Sequence, residues 1–219
     1  MNSLACRVGY AATQRHSGCA AASGFQQTTN ATANFERRAD IYAIYSLMMT
    51  EPKTTHGAEN NDIYLIRDTT VPGTPPEPCV PVPPAYERRF AETLADYQRR
   101  KDTPATLERA LNITKPYQLL NRDEAKEFAE LHDLRPGPKA KPKELFQKAT
   151  DLFGLTDVYF NDDRTLALTG ISTYCGPFCG GYQWKVFEKT NRGWEERPWV
   201  GCRTIASAAR PKPTPLMSS

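Results

Sequence analysis

The residues of this 219-residue chain best suited to chemistry are its cysteines, and two of them share one short motif. Cys175-Gly176-Pro177-Phe178-Cys179-Gly180-Gly181 places two thiols around a Gly-Pro pair. Such a pair can close a structural disulfide, act as a redox couple, ligate a metal or stay as buried thiols. The redox reading needs a helix N-terminus to lower a thiol pKa, within a βαβ setting. Here the motif lies between two strand-like segments, and Gly180-Gly181 argues against a helix start. A structural disulfide is the favoured reading. Free thiols remain open, as does a zinc site drawing on Cys79, Cys175, Cys179 and Cys202, although only Cys175 and Cys179 have knuckle-like spacing. A bridge from Cys175 to Cys202 is disfavoured, because strands two apart lie ~9.5 Å from each other, beyond the ~7 Å limit for a disulfide.

Other catalytic patterns are missing from the sequence. It has no phosphate-cradling glycine loop, no His-Glu-x-x-His and no Gly-x-Ser-x-Gly elbow. Its three histidines, His16, His56 and His132, fall in segments that read as leader, loop or helix end. Only His132 is left as a partner for Cys175 or Cys179. Asp157, Asp162 and Asp163 read as a solvated turn beside a strand. No catalytic residue and no cofactor is assigned, and a non-enzymatic role is expected. The aromatics around the cysteine motif, Tyr174, Phe178, Tyr182, Trp184 and Trp199, are the candidate binding surface for a protein or small-molecule ligand.

These residues must be positioned by a sheet. Asn161-Asp162-Asp163-Arg164 and Thr190-Asn191-Arg192-Gly193 are turn-forming clusters that bracket β-favouring segments. Val158 and Phe160, Leu166 and Leu168, and Trp184 and Val186 recur at period two, the mark of strands with distinct faces. Folding back at the turns predicts a four-stranded antiparallel meander whose last strand runs from Trp194 to Ile205. A tip closing around Phe178 sets Cys175 opposite Gly181, with Cys202 also near Gly181. Trp184 is expected in the core, and Trp194, next to a turn, half exposed.

Upstream, Phe35 to Met49 reads as a helix capped by Asn34, with Ile41, Ile44 or Tyr45, and Met48 on one face. Ile63 to Ile66 centres a short strand spanning 61–70. Val71 to Pro84 holds seven prolines and is an irregular connector. Tyr86, Phe90, Leu94 and Tyr97 form one stripe on a helix from Pro84 to Lys101, whose arginines make a solvated face. Thr103-Pro104 predicts a short helix burying Leu107 and Leu111, and Tyr117 to Leu120 a strand. Asn121-Arg122-Asp123-Glu124 matches a capping box for a helix ending near His132. Pro142 opens a helix through Leu145, Ala149 and Leu152, stopped by Gly154. The domain expectation is a leader at 1–34, one α+β domain at 35–206 with helices on one face of the meander, and a tail at 207–219.

A formal charge of +3 is too small to imply nucleic acid or an anionic membrane, and no run approaches the ~20 apolar residues of a membrane span. Cys19-Ala20-Ala21-Ala22-Ser23 is like the end of a signal peptide, but residues 1–18 hold no apolar run of seven. An exported or periplasmic location is expected, with a cytoplasmic one as the alternative.

Thr156 to Asn161, Thr165 to Leu168, Cys175 to Gly180, and Phe187 to Lys189 with Gly193-Trp194 resemble a group of uncharacterised bacterial proteins. The C-terminal half of that group carries a VxFN…AL…CGxxCG…EK…GW series. Ile41 to Ser46 and Ile66 to Thr69 fit it as well. The resemblance covers about residues 40–70 and 117–205, and departs in the proline-rich stretch and the leader. It implies an exported α+β protein and carries no activity. A binding or structural module is therefore expected, with a thiol-active or zinc-binding protein centred on Cys175 and Cys179 as the alternative.

Overall fold

The computed structural model describes residues 23–50, 62–71, 77–132, 143–177, 179–199 and 203–207; for 23–33 and 203–207 it describes the backbone. The chain divides into two compact units, Met1–Arg38 and Ala39–Ser219. Helix α1 (Ser23–Thr50) begins eleven residues before Asn34, so Asn34 lies within the helix and does not cap it. No helix among the described residues is long and apolar enough to cross a membrane.

The second unit is α+β, built on a mixed sheet of eight strands. Three strands are parallel: β1 (Tyr64–Arg67) lies between β2 (Tyr117–Leu120) and β3 (Leu152–Leu155). β3 then pairs antiparallel with the long β5 (Leu166–Gly176), which also holds the two-residue β4 (Tyr159–Phe160). β5 pairs with β6 (Cys179–Thr190), and β6 carries both β7 (Gly193–Arg197) and β8 (Arg203–Ser207). The expected meander is thus the antiparallel half of a larger sheet. Its predicted last strand is two strands on one edge, because the first ends where Pro198 lacks the N–H that would continue the ladder.

Two sequence expectations fail for one reason, tertiary pairing of the backbone. Thr103-Pro104 starts no helix. Residues 105–107 are held extended against the exit of β1: Thr70 N–H donates to Ala105 O, Ala105 N–H to Thr70 Oγ1 and Leu107 N–H to Asp68 O, at 2.8, 2.8 and 2.6 Å. Thr69 and Thr106 form an isolated bridge. The helix expected from Pro142 to Leu152 is only α4 (Glu144–Gln147), and Gly154 sits inside β3. Gly154 allows a close approach: a Cβ there would stand 2.6 Å from Ser172 Oγ and 2.7 Å from Val71 Cγ2.

The sheet is covered on both faces, not on one. On the first face, Ile44, Tyr45, Met48 and Met49 of α1 pack with Tyr64, Ile66, Phe153, Leu155, Ala167 and Phe187. Leu107, Leu111 and Ile113 of the β1–β2 connection join this layer. On the opposite face, Ala125 and Phe128 of α3 (Arg122–Leu131) pack with Leu65, Leu120, Leu152 and Phe146. Phe90 and Tyr97 of α2 (Glu87–Arg100) pack there with Leu166, Leu168, Trp184 and Val186. The expected α2 stripe is present, with Tyr86 in a short 3-10 turn ahead of the helix. Alternate residues of β5 and β6 divide between the layers, as period two requires.

Polar ties lock the helices onto the sheet. Tyr45 donates to the Thr156 carbonyl at 2.7 Å. Asp96 Oδ2 of α2 accepts the Phe160 N–H at 3.0 Å, and Arg100 pairs with Asp157 and Asp96. The capping box of α3 is complete: Asn121 accepts from the N–H groups of Asp123 and Glu124, and Glu124 accepts from the Asn121 N–H.

Candidate functional site

The cysteine motif closes the β5–β6 hairpin, and its local structure follows from an extra residue. The ladder pairs Thr173 with Gly181 and Tyr174 with Gly180, then resumes at Gly176 with Cys179. Cys175 is thus the bulged residue, not the partner of Gly181 that a symmetric tip gives. Gly176 has φ +134°, a conformation that side chains disfavour, and it turns the chain toward Cys179. The Cys175 and Cys179 Cα atoms come to 5.0 Å and the two sulfurs form a disulfide. His132 stands beside this tip, its carbonyl 3.7 Å from where a Gly176 Cβ would lie, but its Nδ1 is within 2.8 Å of the Phe128 carbonyl.

Cys79 is disulfide-bonded as well. Three of the four cysteines considered for zinc are therefore oxidised, a state in which sulfur is no thiolate ligand, and Cys202 lies outside the described residues. No group of three or more His, Cys, Asp or Glu among the described residues is placed to hold a metal ion.

Of the aromatic residues expected to line a binding surface, Trp184 is buried and Tyr174, Tyr182 and Trp199 are half-buried. Trp184 is 1% exposed and packs edge-on to Tyr97 with ring centroids 5.5 Å apart. Tyr182 packs on Trp184 at 5.4 Å, and burial pushes its hydroxyl pKa far up. Tyr174 packs on the α3 layer and Trp199 against Tyr86, with centroids at 4.6 Å in the second case. Phe178 lies outside the described residues.

The structure instead shows a cavity of about 470 Å³ at the C-terminal ends of β1 and β2. Its lining comes from the exit of β1 (Arg67, Asp68, Thr69, Thr70, Val71), the end of β2 (Leu120), the first turns of α3 (Arg122, Ala125), Pro104 and Ser172. After β1 the chain passes to α2 on the α3 face, returns past the bridge at Thr106 and along the α1 face to β2, and after β2 turns onto the α3 face. The crevice outside the carboxyl ends of parallel strands is where open α/β sheets place ligands.

No protein-family model, curated protein or solved structure matches the chain. The cavity is therefore interpreted from its own chemistry.

Arg67 lies beside Gly154 of β3, its Cδ 3.6 Å from the position of a Gly154 Cβ, which is ordinary van der Waals contact. No side-chain hydrogen bond or ion pair joins the guanidinium of Arg67 or of Arg122 to another described residue. Ser172 Oγ donates to the Gly154 carbonyl at 3.2 Å, and Thr70 Oγ1 accepts from Ala105. The α3 N-terminus is occupied by Asn121, so the charged donors of the lining are the two guanidinium groups, beside the Thr69 hydroxyl. Sequence reasoning missed this site because its residues come from four separate segments. The visible trace was the capping box at Asn121, which marks the helix start forming one wall.

Proposed function

We propose that the chain is a non-enzymatic binding module of an oxidising, extracytoplasmic compartment, and that its ligand occupies the cavity between the β1 exit and α3. The observation that carries this reading is the cavity itself: about 470 Å³, with the accessible apolar residues Val71 and Pro104 and the polar residues Arg67, Asp68, Thr69, Arg122 and Ser172 in its lining. That size and that mixture are typical of small-molecule sites. Two features support the rest. Disulfides at Cys175–Cys179 and at Cys79 suit an oxidising compartment. Among the lining residues the hydroxyl of Ser172 donates to the Gly154 carbonyl, and no basic side chain among the described residues pairs with it. The strand and hairpin series from Thr156 to Trp194 is read as the mark of the exported bacterial group that it resembles, and export is part of the proposal.

The test is a thermal-shift screen of the full oxidised chain against small organic molecules, repeated with Thr69→Trp. Thr69 is exposed and lines the cavity, so the indole should obstruct it without disturbing the core. Binders are expected for the parent chain and lost in the variant. A screen without binders, or binders indifferent to Thr69→Trp, would overturn the proposal.

A further inference from the structure

We infer that the ligand is a small carboxylate with an apolar body, its charged end bound by Arg67 and Arg122 and its body lying on Val71 and Pro104. The inference rests on the binding-module reading and narrows it to a ligand class. Two guanidinium groups line one cavity, and neither has a side-chain partner among the described residues. Like charges sharing a recess repel, and an anion placed with them turns that repulsion into attraction. A guanidinium offers five N–H donors in a planar fork that matches a carboxylate two bonds at a time.

The other charged group in the lining is Asp68, which has no side-chain partner among the described residues either. It offsets one of the two positive charges and leaves the lining at +1, enough for a monoanion and ill suited to a highly charged polyphosphate. The α3 N-terminus contributes little to the anion, because Asn121 already accepts from the N–H groups of Asp123 and Glu124 at 3.0 Å each. The selectivity therefore lies in two side chains, which makes it separable by mutation. Val71 and Pro104, the apolar lining residues that keep accessible surface, favour a hydrocarbon body over a polyhydroxylated one.

The experiment is calorimetric titration of the full oxidised chain with carboxylates of three to eight carbons, each paired with its neutral primary amide. The expected result is binding of at least one carboxylate, at least tenfold tighter than its amide. Arg122→Gln, at an exposed helix position where folding is not at stake, should weaken that carboxylate about ten- to a hundredfold and leave the amide unchanged. Arg67→Gln should act in the same direction, and Asp68→Asn should tighten the carboxylate. Amides binding as tightly as acids, or carboxylate affinity indifferent to both arginine variants, would overturn the inference while leaving the cavity as a ligand site. If no acid or amide binds and the wider screen is also empty, the binding-module reading falls with it.

Discussion

Asp40 shows what a single side chain does in this protein. It is buried on α1, and its Oδ1 accepts from Lys189 Nζ and from the Trp194 indole N–H, both at 2.8 Å. Trp194 was expected half exposed from its place beside a turn; this hydrogen bond and contact with Phe160 explain why it is 8% exposed instead. Trp194→Phe should keep most of the packing yet remove one charged-group donor, costing about 1–3 kcal/mol in chemical denaturation. Trp184→Ala empties a larger buried volume and should cost about 3–5 kcal/mol. Equal small losses at the two sites would contradict this account of the core. Glu188 gives a pH test. Burial pushes its carboxyl up, but hydrogen bonds from Arg89, Tyr86 and Arg197 outweigh burial and hold it below the ordinary glutamate value. A carboxyl lowered in the folded state gives stability that is full above its unfolded pKa, and this is lost as pH falls through the folded one. Glu188→Gln should therefore be less stable than the parent near neutrality, with the gap closing below about pH 4. A gap independent of pH would show that the cluster acts through packing alone. Asp157 runs the other way: burial raises its carboxyl despite Arg100, so its protonation in acid favours the fold.

At the scale of elements, the legible parts of the sequence were those that carry their own geometry. The capping box at Asn121 located α3, the Tyr86-to-Tyr97 stripe located α2, and period two with flanking turns located β5 and β6. β1, β2 and β3 have four residues each and pair in parallel through long connections, so nothing local announces their neighbours. Leu145, Ala149 and Leu152 even imitate a helical face, and only the ladder to β1 and β5 shows Leu152 to be in a strand. The cavity inherits this opacity, because it is made by the ends of those strands. The hairpin tip was readable as a disulfide but not in register, since the bulge at Cys175 depends on Gly176 adopting a positive φ. The crosslink encloses too small a loop to remove much unfolded-state entropy. The Cys175→Ser, Cys179→Ser double variant should stay folded, lose about 1–2 kcal/mol, and be cleaved faster near the tip in limited proteolysis. Global unfolding of that variant, or full alkylation of both cysteines in unreduced parent protein, would refute a local structural role.

For the whole molecule, the weight falls on the second half of α1. Ile44, Tyr45, Met48 and Met49 are at most 1% exposed, and they cover the sheet face formed by β1, β3, β5 and β6. Burying each such side chain is worth about 1.5–3 kcal/mol, so four together supply about 6–12 kcal/mol. That is comparable with the entire ~5–15 kcal/mol net stability of a typical domain. Asp40 adds its ties to Lys189 and Trp194 on the same segment. By contrast, residues 1–34 are rich in Ala, Ser, Thr, Gln and Asn and have no apolar periodicity. Two truncations separate these contributions. A chain beginning at Phe35 keeps every residue just named and should melt within a few degrees of the full chain. A chain beginning after Thr50 loses the α1 layer, and it should show no cooperative transition by calorimetry or near-ultraviolet circular dichroism. A large drop in Tm for the first truncation would place stabilising contacts in residues 1–34. A cooperative transition for the second would mean that the sheet, held from the α2 and α3 face alone, is a sufficient core.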